Sequence, residues 1–263
     1  MLSVSRLSVT PVRGLALLHP DTVRLEPLGV LDDRRYSLLT PDGRLFDGTD
    51  DGTLVQIRAD LSHDPEQLRL TFPDGSVVGG EVALGELVKI EVHERPFPVR
   101  LVMGPWAEAI SSFIRRPLQL FRAERDTGEP DRNAVSIVSE ASVEELSRQS
   151  GLEHPVDARR FRMLVQVAGA RPHEEDQWLG RRVQIGESIV RVTRPDPRCV
   201  ITTQDPDTGL RDFPTLHAIK RYRGLRDGRH LDFGVYADVV EPGMLHVGDR
   251  VAPLAEHDAG PPS

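Results

Sequence analysis

Two Pro-Asp-Gly turns, Pro41-Asp42-Gly43 and Pro73-Asp74-Gly75, each close a short apolar run, and they constrain what the first hundred residues can fold into. Proline presets one turn dihedral and glycine takes the positive φ that ends a tight turn, so each triplet reverses a strand. The runs around them read as strands: Val4, Leu7 and Val9; Val23 and Leu25; Arg34 to Leu39; Leu54 to Ile57; and Leu68 to Phe72. Short strands at roughly 8–15 residue spacing predict a small barrel or sandwich rather than a helical domain.

Beyond residue 100 the pattern mixes helices with strands. Pro105 to Arg116 places Trp106, Ala109, Ile110, Phe113 and Ile114 on one helical face. Ser142 with Glu145 forms a capping-box start, and Thr215 is positioned to cap Leu216 to Tyr222. Strands are expected over Ala134 to Val138, Phe161 to Val167, Val183 to Val192 and Val235 to Val240. The Pro-bearing stretch Glu94 to Pro98 suggests a division near residue 100, giving a β domain over 1–100 and a second domain over 101–255. Residues 256–263 read as a disordered tail.

The chain has 263 residues, of which 38% are hydrophobic and 28% charged, an ordinary globular composition. Its formal net charge of −8 argues against nucleic-acid binding, which rests on clustered Lys and Arg, but leaves room for a local basic pocket. No apolar run is long enough for a transmembrane helix, and Met1 to Val12 lacks the basic start and apolar stretch of a signal peptide. A cytoplasmic protein without membrane contact is expected. One cysteine excludes an internal disulfide, a multi-thiolate zinc site and a cysteine-held iron–sulfur cluster.

That cysteine, Cys199, stands in Pro195-Asp196-Pro197-Arg198-Cys199-Val200-Ile201-Thr202-Thr203-Gln204-Asp205-Pro206-Asp207-Thr208-Gly209. A lone thiol is a metal ligand, a nucleophile or small core filler. The cation beside it favours the thiolate, the form that ligates or attacks. The run Arg198-Cys199, Thr202-Thr203 and Asp205-Pro206-Asp207-Thr208-Gly209 resembles the cysteine loop of MOSC-domain proteins. It is most similar to the branch with an N-terminal MOSC β-barrel, which includes the mitochondrial amidoxime-reducing component and bacterial relatives. The resemblance implies a β-rich α+β fold, in which a small N-terminal β-barrel packs on a MOSC β-barrel with peripheral helices. It also implies a molybdenum–molybdopterin cofactor between the two domains, with Cys199 as the metal's protein ligand.

Further segments carry the same resemblance. Thr10-Pro11-Val12-Arg13-Gly14 is similar to a Tyr-Pro-(Val/Ile)-Lys-Ser motif whose Lys and Ser face the cofactor, so Arg13 and Gly14 take those places. Asp33-Arg34 before Tyr36 resembles an Asp-Arg-aromatic strand start, implying Arg34 as a second phosphate ligand; a surface pair with Asp32 or Asp33 is the plain alternative. Phe161-Arg162-Met163-Leu164 keeps the arginine of a Phe-Arg-Pro-Asn motif but loses its asparagine, a loss that Asn133 could offset. Thr202 is expected among the cofactor contacts. Phe233-Gly234-Val235-Tyr236 resembles a Phe-Gly-x-Tyr segment that sets Tyr236 near the metal; a core tyrosine is the alternative. Where relatives show Thr-x-Arg-Gln, this chain has Phe46-Asp47-Gly48-Thr49-Asp50-Asp51-Gly52, which would make a bordering pocket acidic.

The activity this implies is reduction of N-hydroxylated compounds such as amidoximes, hydroxamates and N-hydroxylated bases, with electrons from a separate ferredoxin- or cytochrome-like donor. Arg198 and Tyr236 are then candidates for polarising the substrate oxygen, beside Cys199. The alternative is a carrier of the cofactor or of sulfur, without turnover of its own; a scaffold that has lost the cofactor is a third reading. Other motifs fail. The Asp205-x-Asp207-x-Gly209 run lacks the closing Glu of a calcium loop, and there is no His-Glu-x-x-His, Gly-x-Ser-x-Gly or P-loop.

Overall fold

The computed structural model describes residues 1–92, 95–124, 134–151 and 154–255. Asn133 and the tail 256–263 lie outside the described residues. The first strands are β1 (Ser3–Leu7), β2 (Thr22–Glu26), β3 (Gly29–Val30), β4 (Tyr36–Leu39), β5 (Leu45–Phe46), β6 (Arg58–Ser62), β7 (Gln67–Thr71), β8 (Val77–Glu81), β9 (Ala83–Val92) and β10 (Arg95–Met103). They are followed by α1 (Trp106–Ile114), β11 (Gln119–Ala123), β12 (Val135–Ser139), α2 (Glu140–Ser150) and β13 (Val165–Ala168). The chain ends through β14 (Arg182–Ile185), β15 (Ser188–Pro197), α3 (Thr215–Arg223), β16 (Asp232–Glu241), β17 (Gly243–His246) and β18 (Val251–Pro253).

Strands prevail because branched apolar residues alternate with polar ones along most of these segments. In β2, Val23 and Leu25 are buried while Thr22 and Arg24 are exposed. The larger sheet has seven strands in the order β1-β13-β12-β16-β15-β14-β18, with β12 and β13 parallel. Its two outer strands meet. The Val4 amide donates to the Asp249 carbonyl at 2.8 Å, and the Val251 amide to Leu2 at 3.0 Å. The sheet is therefore nearly closed, and closure removes the open edges that otherwise template aggregation. Val4, Leu7, Ile137, Val165, Val183, Val192 and Val235 fill its interior.

A five-stranded sheet (β5-β4-β11-β10-β9) and a three-stranded sheet (β6-β7-β8) enclose the other main core. Tyr36, Phe46, Leu54, Leu68 and Trp106 lie in it. The Trp106 indole donates to the Leu68 carbonyl at 2.9 Å, so this buried ring is satisfied. Both Pro-Asp-Gly turns close hairpins, β4–β5 and β7–β8. Packing does not follow the order of the chain. β1 and β2 contribute Val4, Leu7, Val23 and Leu25 to the seven-stranded barrel, and β2 pairs with β17. After residue 103, α1 and β11 turn back into the first core through Ile110, Ile114 and Leu120.

Several local expectations are corrected. Leu54 to Ile57 is not a strand: Gly52–Gln56 forms a 3-10 helix, because Asp51 accepts from the Thr53 amide at 3.0 Å and caps the turn. Helix α2 is capped by Ser139 rather than Ser142; the Ser139 hydroxyl accepts from the Ser142 amide at 3.1 Å, and the Ser142 hydroxyl donates to buried Glu175. Thr215 does not cap α3; its buried hydroxyl donates to the Thr202 carbonyl at 2.6 Å. The run from Phe161 is not all strand either. Ala158–Phe161 is a 3-10 turn, Arg162 is left-handed with φ 52°, and pairing starts at Val165.

Candidate functional site

Strand β15 outruns its neighbour β14, which pairs with it only from Ser188 to Arg191. Val192 still exchanges backbone bonds with Gly180 and Arg181, and beyond it the ladder partner of β15 is β16. Pro195 and Pro197 fall in this overhang, where a missing amide costs the ladder nothing. The overhang delivers Arg198 and Cys199 past the end of the sheet. Cys199 is exposed and begins a short 3-10 helix, Val200–Thr203.

The loop behind Cys199 is locked at every turn. The Thr202 hydroxyl donates to the Cys199 carbonyl at 3.0 Å. Asp205 accepts from the Asp207 and Thr208 amides at 3.1 and 2.8 Å and rounds the turn. Two bonds tie it to the first core's loops: Gln204 Nε2 donates to the Gly48 carbonyl at 2.7 Å, and Gln56 Nε2 donates to the Thr208 carbonyl at 2.9 Å. Gly52 and Gly209 pack backbone on backbone; a Cβ on Gly209 would lie 2.0 Å from the Gly52 oxygen. Arg160 grips Asp212 with both terminal nitrogens, at 2.6 and 2.9 Å. The acidic loop 46–52 and the cysteine loop therefore form one rigid floor between the two cores.

Above that floor is a cavity of about 150 Å³. Seven of the nine residues named from the sequence line it: Arg13, Gly14, Arg34, Arg162, Arg198, Cys199 and Tyr236. They come from five separate stretches of chain. Thr202 does not line it; it is fully buried and holds the Cys199 backbone. Asp47, from the acidic loop expected to border the site, also lines the cavity, as do Ser136, Met163 and Asp196, to which sequence reasoning assigned no role there. The signal for Asp196 was its place between two prolines three residues before the thiol, an acid that a buried strand does not otherwise tolerate.

One wall is charge-balanced. Asp196 is 1% exposed and takes the Arg198 guanidinium in an ion pair. Arg198 Nη2 donates to the Phe161 carbonyl at 2.6 Å, and its Nη1 also reaches Met163 Sδ at 3.3 Å. Its terminal nitrogens thus point into protein, and the group also lies 5.4 Å from the Phe161 ring. The Tyr236 hydroxyl bonds Asp196; burial, then the Asp196 charge, push the phenol well above its usual range. Burial likewise pushes Asp196 up, against the pull of Arg198.

The opposite wall is cationic. Arg13 Nε donates to Asp47 at 3.2 Å, and Arg34 pairs with Asp33 while donating to the Arg162 carbonyl at 2.9 Å. Arg162 donates to the Leu15 carbonyl at 2.6 Å and, among the described residues, pairs with no carboxylate. Burial, then the Arg34 charge, push it down to about 10, with Arg13 adding to the effect. Arg34 and Arg162 both hold left-handed backbones, φ 52° in each, a conformation that costs a non-glycine residue about 1 kcal/mol or more. Gly14, at φ 88°, lets this segment approach Gly48, where a Cβ would stand 3.3 Å from the amide nitrogen. Of the acidic loop only Asp47 faces the cavity, already paired with Arg13; Asp50 pairs with Arg44 and Asp51 caps a helix. The acidic pocket expected from this loop is therefore mostly neutralised.

Residues 1–103 match the MOSC N-terminal beta barrel domain family, and residues 124–252 match the MOSC domain family. Mitochondrial amidoxime-reducing component 1 of Mus musculus is 26% identical over 286 residues, spanning 97% of this chain and 83% of that protein. A molybdenum cofactor sulfurase of Caenorhabditis briggsae is 26% identical over 255 residues, spanning 92% of this chain and 34% of that protein. Among solved structures, the YUAD protein of Bacillus subtilis aligns with a TM-score of 0.45 at 13% identity, over 95% of this chain and 94% of that one. Both parts of the sequence lead to one family: the chain is a MOSC-domain protein with an N-terminal MOSC β-barrel domain.

Proposed function

We propose that this protein binds a molybdenum–molybdopterin cofactor in the cavity and uses it to reduce N-hydroxylated compounds. The observation that carries this reading is the convergence of one exposed thiol with three arginines, of which Arg162 pairs with no carboxylate among the described residues. Arg13 pairs with Asp47 and Arg34 with Asp33, whereas the enclosed Arg162 guanidinium has no carboxylate partner among the described residues. A buried unpaired cation is costly, and an anionic group such as a phosphate monoester would relieve it through charge-assisted hydrogen bonds. Among the described residues no three His, Cys, Asp or Glu gather as metal ligands. A metal at Cys199 would therefore draw its other ligands from a cofactor, as a dithiolene provides. The relatives' names, amidoxime-reducing component and molybdenum cofactor sulfurase, support a molybdenum-related function.

Within this reading Arg13, Arg34 and Arg162 hold the phosphate, and Gly14 admits the cofactor close to the backbone. Cys199, exposed and lining the cavity, would be the metal's protein ligand. The bound cofactor supplies two-electron redox chemistry, replenished by a separate donor protein. The net reaction consumes two electrons and two protons, breaks the N–O bond, and yields the parent nitrogen compound and water. Arg198 acts as a positioning residue, since its terminal nitrogens are taken by Asp196, Met163 and Phe161. Tyr236, bonded to Asp196 and lining the cavity, holds a proton beside the thiol and is the hydroxyl available to orient a substrate oxygen. The two cores act together, because the floor of the site is shared by loops 46–56 and 199–212. No helix among the described residues is long and apolar enough to cross a membrane. A cytoplasmic location is part of this proposal.

The test is turnover. Protein produced in a host that makes molybdopterin is supplied with a chemical electron donor and benzamidoxime, and benzamidine is quantified. Benzamidine formation that disappears in Cys199→Ser supports the reductase. Full molybdenum loading without benzamidine, or without reduction of hydroxamates, favours the carrier reading instead.

A further inference from the structure

A second cavity, of about 280 Å³, opens on the far side of Ile201 and Arg162, the two residues that border both cavities. Ala16, Leu17 and Val55 from the first core's loops face Ile201 and Pro206 from the cysteine loop across it. Of the arginines on its rim, Arg159 and Arg160 are matched by carboxylates, and Arg162 is the one it shares with the thiol cavity. Arg159 bonds Asp157 at 2.7 Å and Asp207 at 2.7 and 2.8 Å, and Arg160 bonds Asp212. The apolar faces of Ala16, Leu17, Val55, Ile201 and Pro206 give a flat apolar group a surface to lie against. A dry pocket of about 150 Å³ already holds one benzene ring, so this volume admits a ring and its substituent.

We propose that this second cavity is the subsite for the aryl group of the substrate, so that the enzyme prefers aromatic N-hydroxylated compounds over small aliphatic ones. The inference rests on the reductase reading above. Ile201 lies two residues from Cys199, and it forms the partition between the two cavities. A ring seated against Leu17, Val55 and Ile201 leaves the polar N–OH end directed past Ile201 to the cavity holding the thiol.

Two hydroxamic acids with the same reacting head isolate the subsite: benzohydroxamic acid, with a ring, and acetohydroxamic acid, with a methyl group. Burial of the ring is expected to raise kcat/KM for the aryl compound roughly tenfold to hundredfold over the methyl compound. Leu17→Trp fills the cavity from a half-buried position, and that ratio is expected to fall at least tenfold. Ala16→Phe, from the neighbouring position, gives the same test should Leu17→Trp fail to fold, with a thermal melt reporting folding. A wild-type ratio near one, or a ratio that survives both substitutions, overturns the proposal. Should the molybdenum-loaded protein reduce neither compound, the reductase reading fails by itself. Saturation-transfer NMR with benzohydroxamic acid then decides the subsite: ring binding lost in Leu17→Trp upholds it, and no binding to the wild type refutes it.

Discussion

The two walls of the Cys199 cavity are built from the same residue type to opposite ends. Arg198 and Arg162 are both largely enclosed arginines, and both donate to a backbone carbonyl of the facing strand or loop. Arg198 has its own carboxylate, Asp196, supplied by the same strand. Arg162 pairs with none among the described residues, and its charged neighbours are Arg34 and Arg13, opposed by the more weakly felt Asp33 and Asp47. The first wall is complete as it stands and holds its shape; the second is left with positive charge that an anion would complete. A buried arginine therefore says little about function until its partners are counted.

The sharpest way to break this contrast is to remove a single partner from the paired wall. Asp196→Ala strands Arg198 in the interior and is expected to cost about 3–5 kcal/mol, whereas Arg162→Met should be close to neutral because it removes a cation that was never paired. Urea unfolding of both variants checks this, and equal losses would erase the distinction between the walls. Next in size is a ligand effect on the cationic wall. For protein prepared without cofactor, inorganic phosphate at a hundred times its Kd should stabilise the wild type by about 2.7 kcal/mol. The Arg162→Met protein should gain much less, which thermal denaturation at graded phosphate would read.

A third variant tests whether the floor is what holds the two walls in register. Gly209 has φ 75° and faces the Gly52 carbonyl, so Gly209→Ala should cost roughly 2 kcal/mol and speed hydrogen exchange in residues 199–212. Unchanged exchange would mean the glycine contact is incidental. The smallest effect lies behind the paired wall. Phe161 stacks on Phe233 with centroids 4.5 Å apart, and the His173 ring meets Phe233 edge-on at 5.6 Å. Burial, then the Arg223 charge, push His173 down to about 4 from 6.5. The native state then binds fewer protons than the unfolded chain between those values. Stability should accordingly fall as pH drops from 6.5 toward 4, by about 1 kcal/mol after allowance for partial exposure. His173→Gln should flatten that segment of a pH–stability curve; an unaltered slope would place the acid sensitivity elsewhere.

Much of the site was legible because it is written in contiguous motifs. The Arg198-Cys199 loop and its Asp205 to Gly209 turn are local devices, and so are the Pro-Asp-Gly hairpins. Arg13, Arg34 and Arg162 were visible one by one, yet only the fold shows that they meet, since they lie on chain segments that pack from opposite cores. Asp196 and the Arg198 partnership escaped because ion pairing depends on side-chain direction, which a strand broken by two prolines does not disclose. Leu54 to Ile57 misled because a short apolar run fits a strand and a capped 3-10 turn equally well. The exchange of β1 and β2 into the second barrel was hidden for a different reason: alternation marks a buried face but not the partner that buries it.

The most direct test of the central claim, that the thiol and the cationic wall together hold a molybdenum cofactor, is to measure molybdenum and pterin per chain after expression in a molybdopterin-producing host. Wild type, Cys199→Ser and Arg162→Met are compared. The account predicts near-stoichiometric metal and pterin in the wild type, an altered metal spectrum or lost metal in Cys199→Ser, and loss of pterin together with metal in Arg162→Met. Absence of both from the wild type, or full loading of both variants with an unchanged spectrum, would contradict it.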